Sequence, residues 1–114
     1  MRVRRDLAIT LQQLFTTVDL MLLPSGEPAG KLEPVPHSSL FTGPSLTTPF
    51  NVGGTPALSV CSGFAANGMP QSLQIAGRLF DDAVVLRAGH AYETVTPWRG
   101  RRPVLNPQPE RAMA

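Results

Sequence analysis

The sequence predicts a mixed α/β fold with two main helices and an antiparallel hairpin. Three observations predict it: apolar residues recur at helical spacing near both ends, alternating segments flank Asn67-Gly68, and an apolar run halts at Pro24. With 114 residues, the chain has room for at most one domain.

The first helix is expected over residues 6–18, where Leu7, Leu11, Leu14, Phe15 and Val18 fall on one face. Asp6 would then sit in its first turn and complement the helix dipole. The run Leu20-Met21-Leu22-Leu23 lacks polar alternation and stops at Pro24, which suits a short strand buried on both faces. Residues 24–43 are rich in Pro, Gly and Ser and are expected to form a loop or lid. Pro49 fits the first turn of a short helix that Gly53 and Gly54 would end. Residues 57–64 alternate, Asn67-Gly68 marks a turn, and residues 72–76 alternate again with Leu73 and Ile75 on one face. After Gly77, Asp81 or Asp82 can cap a second helix whose apolar face holds Val84, Ala88, Ala91, Tyr92 and Val95, closed by Pro97. From Arg99 onward no periodicity remains, so a poorly ordered tail is expected, above all over 106–114.

Composition narrows the function classes. Net charge is only +2, yet nine of the ten basic residues are arginine. They gather at Arg2, Arg4 and Arg5 and at Arg99, Arg101 and Arg102. Such ends can hold phosphate, but only Trp98 interleaves with them, so nucleic acid is disfavoured as a partner and solvated arginines are preferred. The single cysteine, Cys61, excludes an intrachain disulfide and suits a reducing, cytoplasmic compartment. No apolar run approaches the roughly 20 residues that span a bilayer, so no membrane partner is expected. Residues 1–5 have the charge of a signal n-region, but Asp6, Gln12, Gln13 and Asp19 interrupt the apolar stretch that should follow.

No active site is legible in these residues. Ser38-Ser39 lacks the flanking glycines that would expose a nucleophile, and Lys31 is the sole lysine. His37 and His90 have no partner in the sequence and do not form a metal site without a clustered carboxylate or thiolate. Asp81-Asp82 is explained by helix capping, and Cys61 by burial in a strand. Gly53, Gly54 and Gly63 are not spaced to cradle phosphate. No catalytic residue, cofactor or metal ligand is therefore assigned.

A family resemblance emerges from ordered motifs. Residues 46–60, Leu-Thr-Thr-Pro-Phe-Asn-Val-Gly-Gly-Thr-Pro-Ala-Leu-Ser-Val, resemble the T-x-P-F-N-x-x-G-x-P-A-L-S-V segment of amidase-signature enzymes. Gly68-Met69-Pro70 and residues 72–78 are similar to the family's G-L-P-x-G-L-Q-I-x-G-x, and Phe80-Asp81-Asp82 with Leu86, Ala91 and Tyr92-Glu93 to its closing helix. Residues 18–24 resemble its helix-to-strand stretch. Two departures stand out: Cys61 replaces the proline of V-P-x-G, and Ser72 replaces the glycine of G-L-Q.

The resemblance covers residues 4–105 and implies the C-terminal part of an α/β/α fold around a mixed sheet. That family hydrolyses amides with a Ser–cis-Ser–Lys triad. The triad lies in an upstream glycine- and serine-rich core with no matching position here. The chain is accordingly expected to be a truncated amidase, with Met1 internal to a longer protein, inactive alone and marginally stable or self-associating. The alternatives are a non-catalytic interaction module, or half of a split amidase whose partner is the missing N-terminal part. A small amide substrate would bind only the full-length enzyme. Ser45, Thr47 and Asn51 are candidates for the substrate-pocket wall. The family's tRNA-dependent amidotransferase branch tends to carry an acidic residue where Pro44-Ser45 stands here, which weighs toward a general amidase.

Overall fold

The computed structural model describes residues 2–26, 30, 43 and 45–103. Helix α1 (Arg2–Leu14) leads into strand β1 (Leu20–Pro24), followed by the short helix α2 (Thr48–Gly53). Strands β2 (Ala57–Phe64) and β3 (Pro70–Gly77) form the hairpin, and α3 (Asp82–Thr94) precedes a single 3₁₀ turn, Trp98–Gly100. The strands form one sheet in the order β1-β3-β2, antiparallel throughout. A mixed sheet, which the resemblance implies, is thus not what the described strands build.

Strand β3 is central, and its second half, from Gln74 to Gly77, is buried on both faces. Its alternation sends Ala76 toward a cluster with Leu11, Phe15 and Phe50, against which Leu7, Met21 and Leu23 pack. The opposite face carries Ile75 with Val60 and Val85, flanked by Leu20, Leu58, Leu73, Ala88 and Tyr92. Helices α1 and α2 therefore cover one face and α3 the other, giving three layers. Ile75 is only 2% exposed, and burying a side chain of that size contributes about 1.5–3 kcal/mol.

Several boundaries and faces differ from the sequence expectations. Helix α1 starts at Arg2, so Asp6 lies beyond its first turn. It ends at Leu14 because the Thr16 and Thr17 hydroxyls donate to the Gln13 and Leu14 carbonyls (2.6 and 2.8 Å), giving the last turn local partners. Leu7, Leu11 and Phe15 pack inward as expected, whereas Leu14 and Val18 stay exposed. Strand β1 is not buried on both faces: Leu22 is 62% exposed. Helix α3 packs over β2 and β3, leaving Leu22 outside its footprint.

The face of α3 is shifted by one position. Val85 and Gly89 are buried and Ala88 and Tyr92 pack beside them, while Ala91 and Val95 are exposed. Asp81 occupies the N-cap position, but its side chain makes no capping bond; its carbonyl accepts the Val84 and Val85 N–H groups. The expected ends of α2 are present: Pro49 stands in its first turn, and Gly54, at φ 77°, donates to the Phe50 carbonyl (2.8 Å). Residues 99–103 are not a loose tail, since Trp98 meets Phe64 edge-on at 6.2 Å and the Arg101 guanidinium lies 4.7 Å from that ring's centre. Residues 106–114 and most of the proline-rich stretch 24–43 lie outside the described residues.

The hairpin closes through residues 65–69. The Ala65 N–H donates to the Met69 carbonyl, Gly68 takes φ 80°, and the Asn67 Oδ1 accepts from the Met69 N–H at 3.1 Å. A β-bulge interrupts β2 between Cys61 and Gly63. The family's proline position, Cys61 here, thus falls on an outer strand beside a bulge, where a proline is tolerated.

Close approach of α3 to the sheet depends on Gly89. A Cβ there would overlap the Leu58 Cδ2 atom and touch Val60. Gly89→Val is expected to lower stability by about 1–3 kcal/mol through overpacking, read as a lowered urea midpoint. Gly89→Ala should cost less, because alanine's helix propensity offsets a Leu58 rotamer shift by about 1 kcal/mol.

Candidate functional site

The residues expected to line a pocket gather around the start of α2. Ser45 Oγ accepts from the Thr48 N–H at 3.1 Å and lies 3.2 Å from the Thr47 hydroxyl. Thr47 holds the N-cap position, yet Ser45 supplies the capping oxygen. The Thr47 carbonyl receives the Asn51 N–H at 3.3 Å. Among the described residues, the exposed Asn51 side chain makes no hydrogen bond. The three residues therefore share one short element, with Ser45 and Thr47 engaged in its local bonding and Asn51 presented to solvent.

This element is tied to the sheet by the glutamine of the G-L-Q-like motif, a residue to which the sequence reading gives no role. Gln74 lies on β3 and is 4% exposed, the single buried polar residue in the described core. Its Nε2 donates to the Leu46 carbonyl at 3.0 Å. That bond bridges 28 positions of sequence and sets residues 45–48 against the layer containing α1. Its visible signal is a glutamine at an inward position of an alternating strand, where an amide needs a buried partner. From the other side, the Arg4 Nε donates to the Val52 carbonyl at 3.2 Å, holding the end of α2 to α1.

The remaining candidates do not converge. His90 is exposed on α3. Cys61 is half-buried with its thiol 3.5 Å from the Gly63 carbonyl. Ser38, Ser39, Lys31 and His37 lie outside the described residues. Among the described residues, no group of three His, Cys, Asp or Glu side chains is placed to hold a metal ion. No helix among them is long and apolar enough to cross a membrane. Arg99 pairs with Glu93 at 3.6 Å, so part of the C-terminal arginine cluster has intrachain partners.

Comparison with known proteins fixes the family. The family model for amidases matches residues 1–86 of the 114. The chain belongs to the amidase family. This amidase segment is 38% identical over 109 residues to the amidase-family protein AmiD of Mycobacterium tuberculosis, covering 88% of the chain and 22% of AmiD. It superposes on a glutamyl-tRNA(Gln) amidotransferase component of Thermotoga maritima with a TM-score of 0.75 and 30% identity, covering 90% of the chain and 23% of that structure. A 6-aminohexanoate cyclic dimer hydrolase solved with its substrate aligns with a TM-score of 0.73 and 28% identity, over 89% of the chain and 24% of the hydrolase. The chain thus spans about a fifth of the length of the curated relative it matches.

The Gln74 bond has a measurable cost of removal. Gln74→Ala leaves the Leu46 carbonyl without its partner and is expected to destabilise by about 1–3 kcal/mol. Backbone amide exchange over 45–48 should accelerate more than over β2, as followed by hydrogen–deuterium exchange. Unchanged protection over 45–48 would show that the tether lies elsewhere.

Proposed function

We propose that this chain is the non-catalytic C-terminal segment of an amidase acting on carbon–nitrogen amide bonds, with its nucleophile and lysine supplied by residues outside it. One observation carries this reading: the match runs along nearly the whole chain but accounts for only 22% of AmiD. The triad's glycine- and serine-rich surroundings have no counterpart in the sequence. On this reading residues 4–105 form part of one amidase domain, located in the cytoplasm. The chain provides three strands of its sheet, the layers that cover them, and one wall of the substrate pocket.

Ser45, Thr47 and Asn51 form that wall. Asn51 is the member whose amide is available to a ligand, while Ser45 and Thr47 shape the turn that presents it. Gln74 acts behind them as a positioning residue. Pro44-Ser45, in place of an acidic residue, favours a general amidase over a tRNA-dependent amidotransferase.

Two outcomes test the proposal. Purified alone, the chain is expected to show no measurable hydrolysis of a simple aryl amide; turnover abolished by Ser45→Ala would overturn the non-catalytic assignment. Grafted into the 6-aminohexanoate cyclic dimer hydrolase in place of its matching segment, the chain should sustain hydrolysis of the cyclic dimer. In that chimera Asn51→Ala should raise KM several-fold with a smaller change in kcat. An unchanged KM for Ser45→Ala, Thr47→Ala and Asn51→Ala would remove the wall assignment.

A further inference from the structure

The turn between β3 and α3 presents apolar surface that the described residues leave uncovered. Phe80 is 88% exposed and adopts φ 65°, the only described non-glycine residue at positive φ. For a bulky side chain this backbone conformation is a true outlier. Its neighbours are exposed too: Leu79 partly, and Leu86 on the first turns of α3 by 60%. Two cavities flank the turn. One, of about 410 Å³, is lined by Phe15, Thr55, Arg78 and Leu79. The other, of about 220 Å³, lies between Pro56, Leu58, Val85 and Leu86. Their linings include the sequence neighbours Thr55 and Pro56, one in each. The Thr55 hydroxyl is buried without a hydrogen-bond partner among the described residues.

These features fit an interface better than a free surface. A strained aromatic displayed outward, an orphaned hydroxyl and two hollows nearby are what a protein–protein seam looks like when its other side is removed. Arg78 is already committed, donating from Nε to the Phe15 carbonyl at 2.9 Å and from Nη2 to Asp19. It therefore stiffens the rim of the larger cavity. The match to the Thermotoga structure leaves more than three-quarters of that chain outside the aligned part. A large body of the same fold is thus available to cover this end of the sheet.

We propose that the Leu79-Phe80 turn, with Leu86 and the two hollows beside it, is the seam on which the remainder of an amidase fold docks. Phe80 inserts into that partner, and the Thr55 hydroxyl gains its missing bond from it. The proposal rests on the chain being one segment of such a fold. It adds which end of the segment meets the rest and which residue anchors the contact.

The test separates anchoring from internal packing. The probe is M. tuberculosis AmiD lacking the segment that matches this chain, titrated with the full chain. Wild type is expected to bind. Phe80→Gly should weaken binding at least about tenfold, since buried aromatic anchors dominate interfaces. The same variant should unfold at an unchanged or higher temperature, because glycine relieves the positive φ. Leu86→Asp should also weaken binding, and Val95→Ser, an apolar exposure at the far end of α3, should not. Binding that persists unaltered in both Phe80→Gly and Leu86→Asp overturns the seam while leaving the proposed function standing. A marked fall in Tm for Phe80→Gly overturns it as well, since Phe80 would then belong to the chain's own core. A wild-type chain that only dimerises with itself and never binds the probe overturns the seam and the segment reading together.

Discussion

Everything in this chain is organised by the two-sided burial of β3. A central antiparallel strand has both backbone edges occupied and both side-chain faces covered, so Gln74, Ile75, Ala76 and Gly77 are all withdrawn from water. Because side chains alternate, a one-residue slip would exchange the two faces and drive Gln74 into the cluster of Val60 and Val85. The register pins β1 and β2 at once: Leu22 and Leu58 both pair with Ile75, and Met21 and Ala57 both pair with Ala76. Helices then settle where these faces permit.

Polar contacts tune this arrangement and contribute less to its stability. The Arg78–Asp19 pair is largely solvent-exposed, and such pairs contribute little. The contact from the Arg78 Nε to the Phe15 carbonyl does more organisational work, joining the end of α1 to the end of β3 across 63 positions. Gln74 acts similarly for the Leu46 segment. In both cases a side chain on β3 or just beyond it satisfies a carbonyl that no regular element serves, which fixes irregular chain without extra apolar area.

Much of the fold was legible because local signals agreed. Alternation in 57–64, the Asn67-Gly68 turn and the Gly54 helix end all reflect short-range chemistry, and each element lies where that chemistry places it. The misplacements concern tertiary context. Val84 and Val95 look like core residues until Gly89, whose contribution is the absence of a side chain, brings α3 against Leu58. Leu20-Met21-Leu22-Leu23 carries no information about how far α3 extends, so the exposure of Leu22 could not be read from it. At the candidate site, proximity of Ser45, Thr47 and Asn51 followed from their nearness in sequence. Gln74 stands in the family-like motif, but its tethering role was missed because its partner is a distant backbone carbonyl that no local pattern reveals.

The bulge between Cys61 and Gly63 has a consequence for how copies of this chain can meet. A sheet with two regular free edges can add strands at both and grow without limit. Here the bulge distorts one outer strand, and the turn bearing Trp98 packs against its Phe64 end. Among the described residues, β1 is left as the only undistorted edge. Each molecule then offers one undistorted edge, so any pairing through the sheet would stop at two copies instead of propagating into a filament.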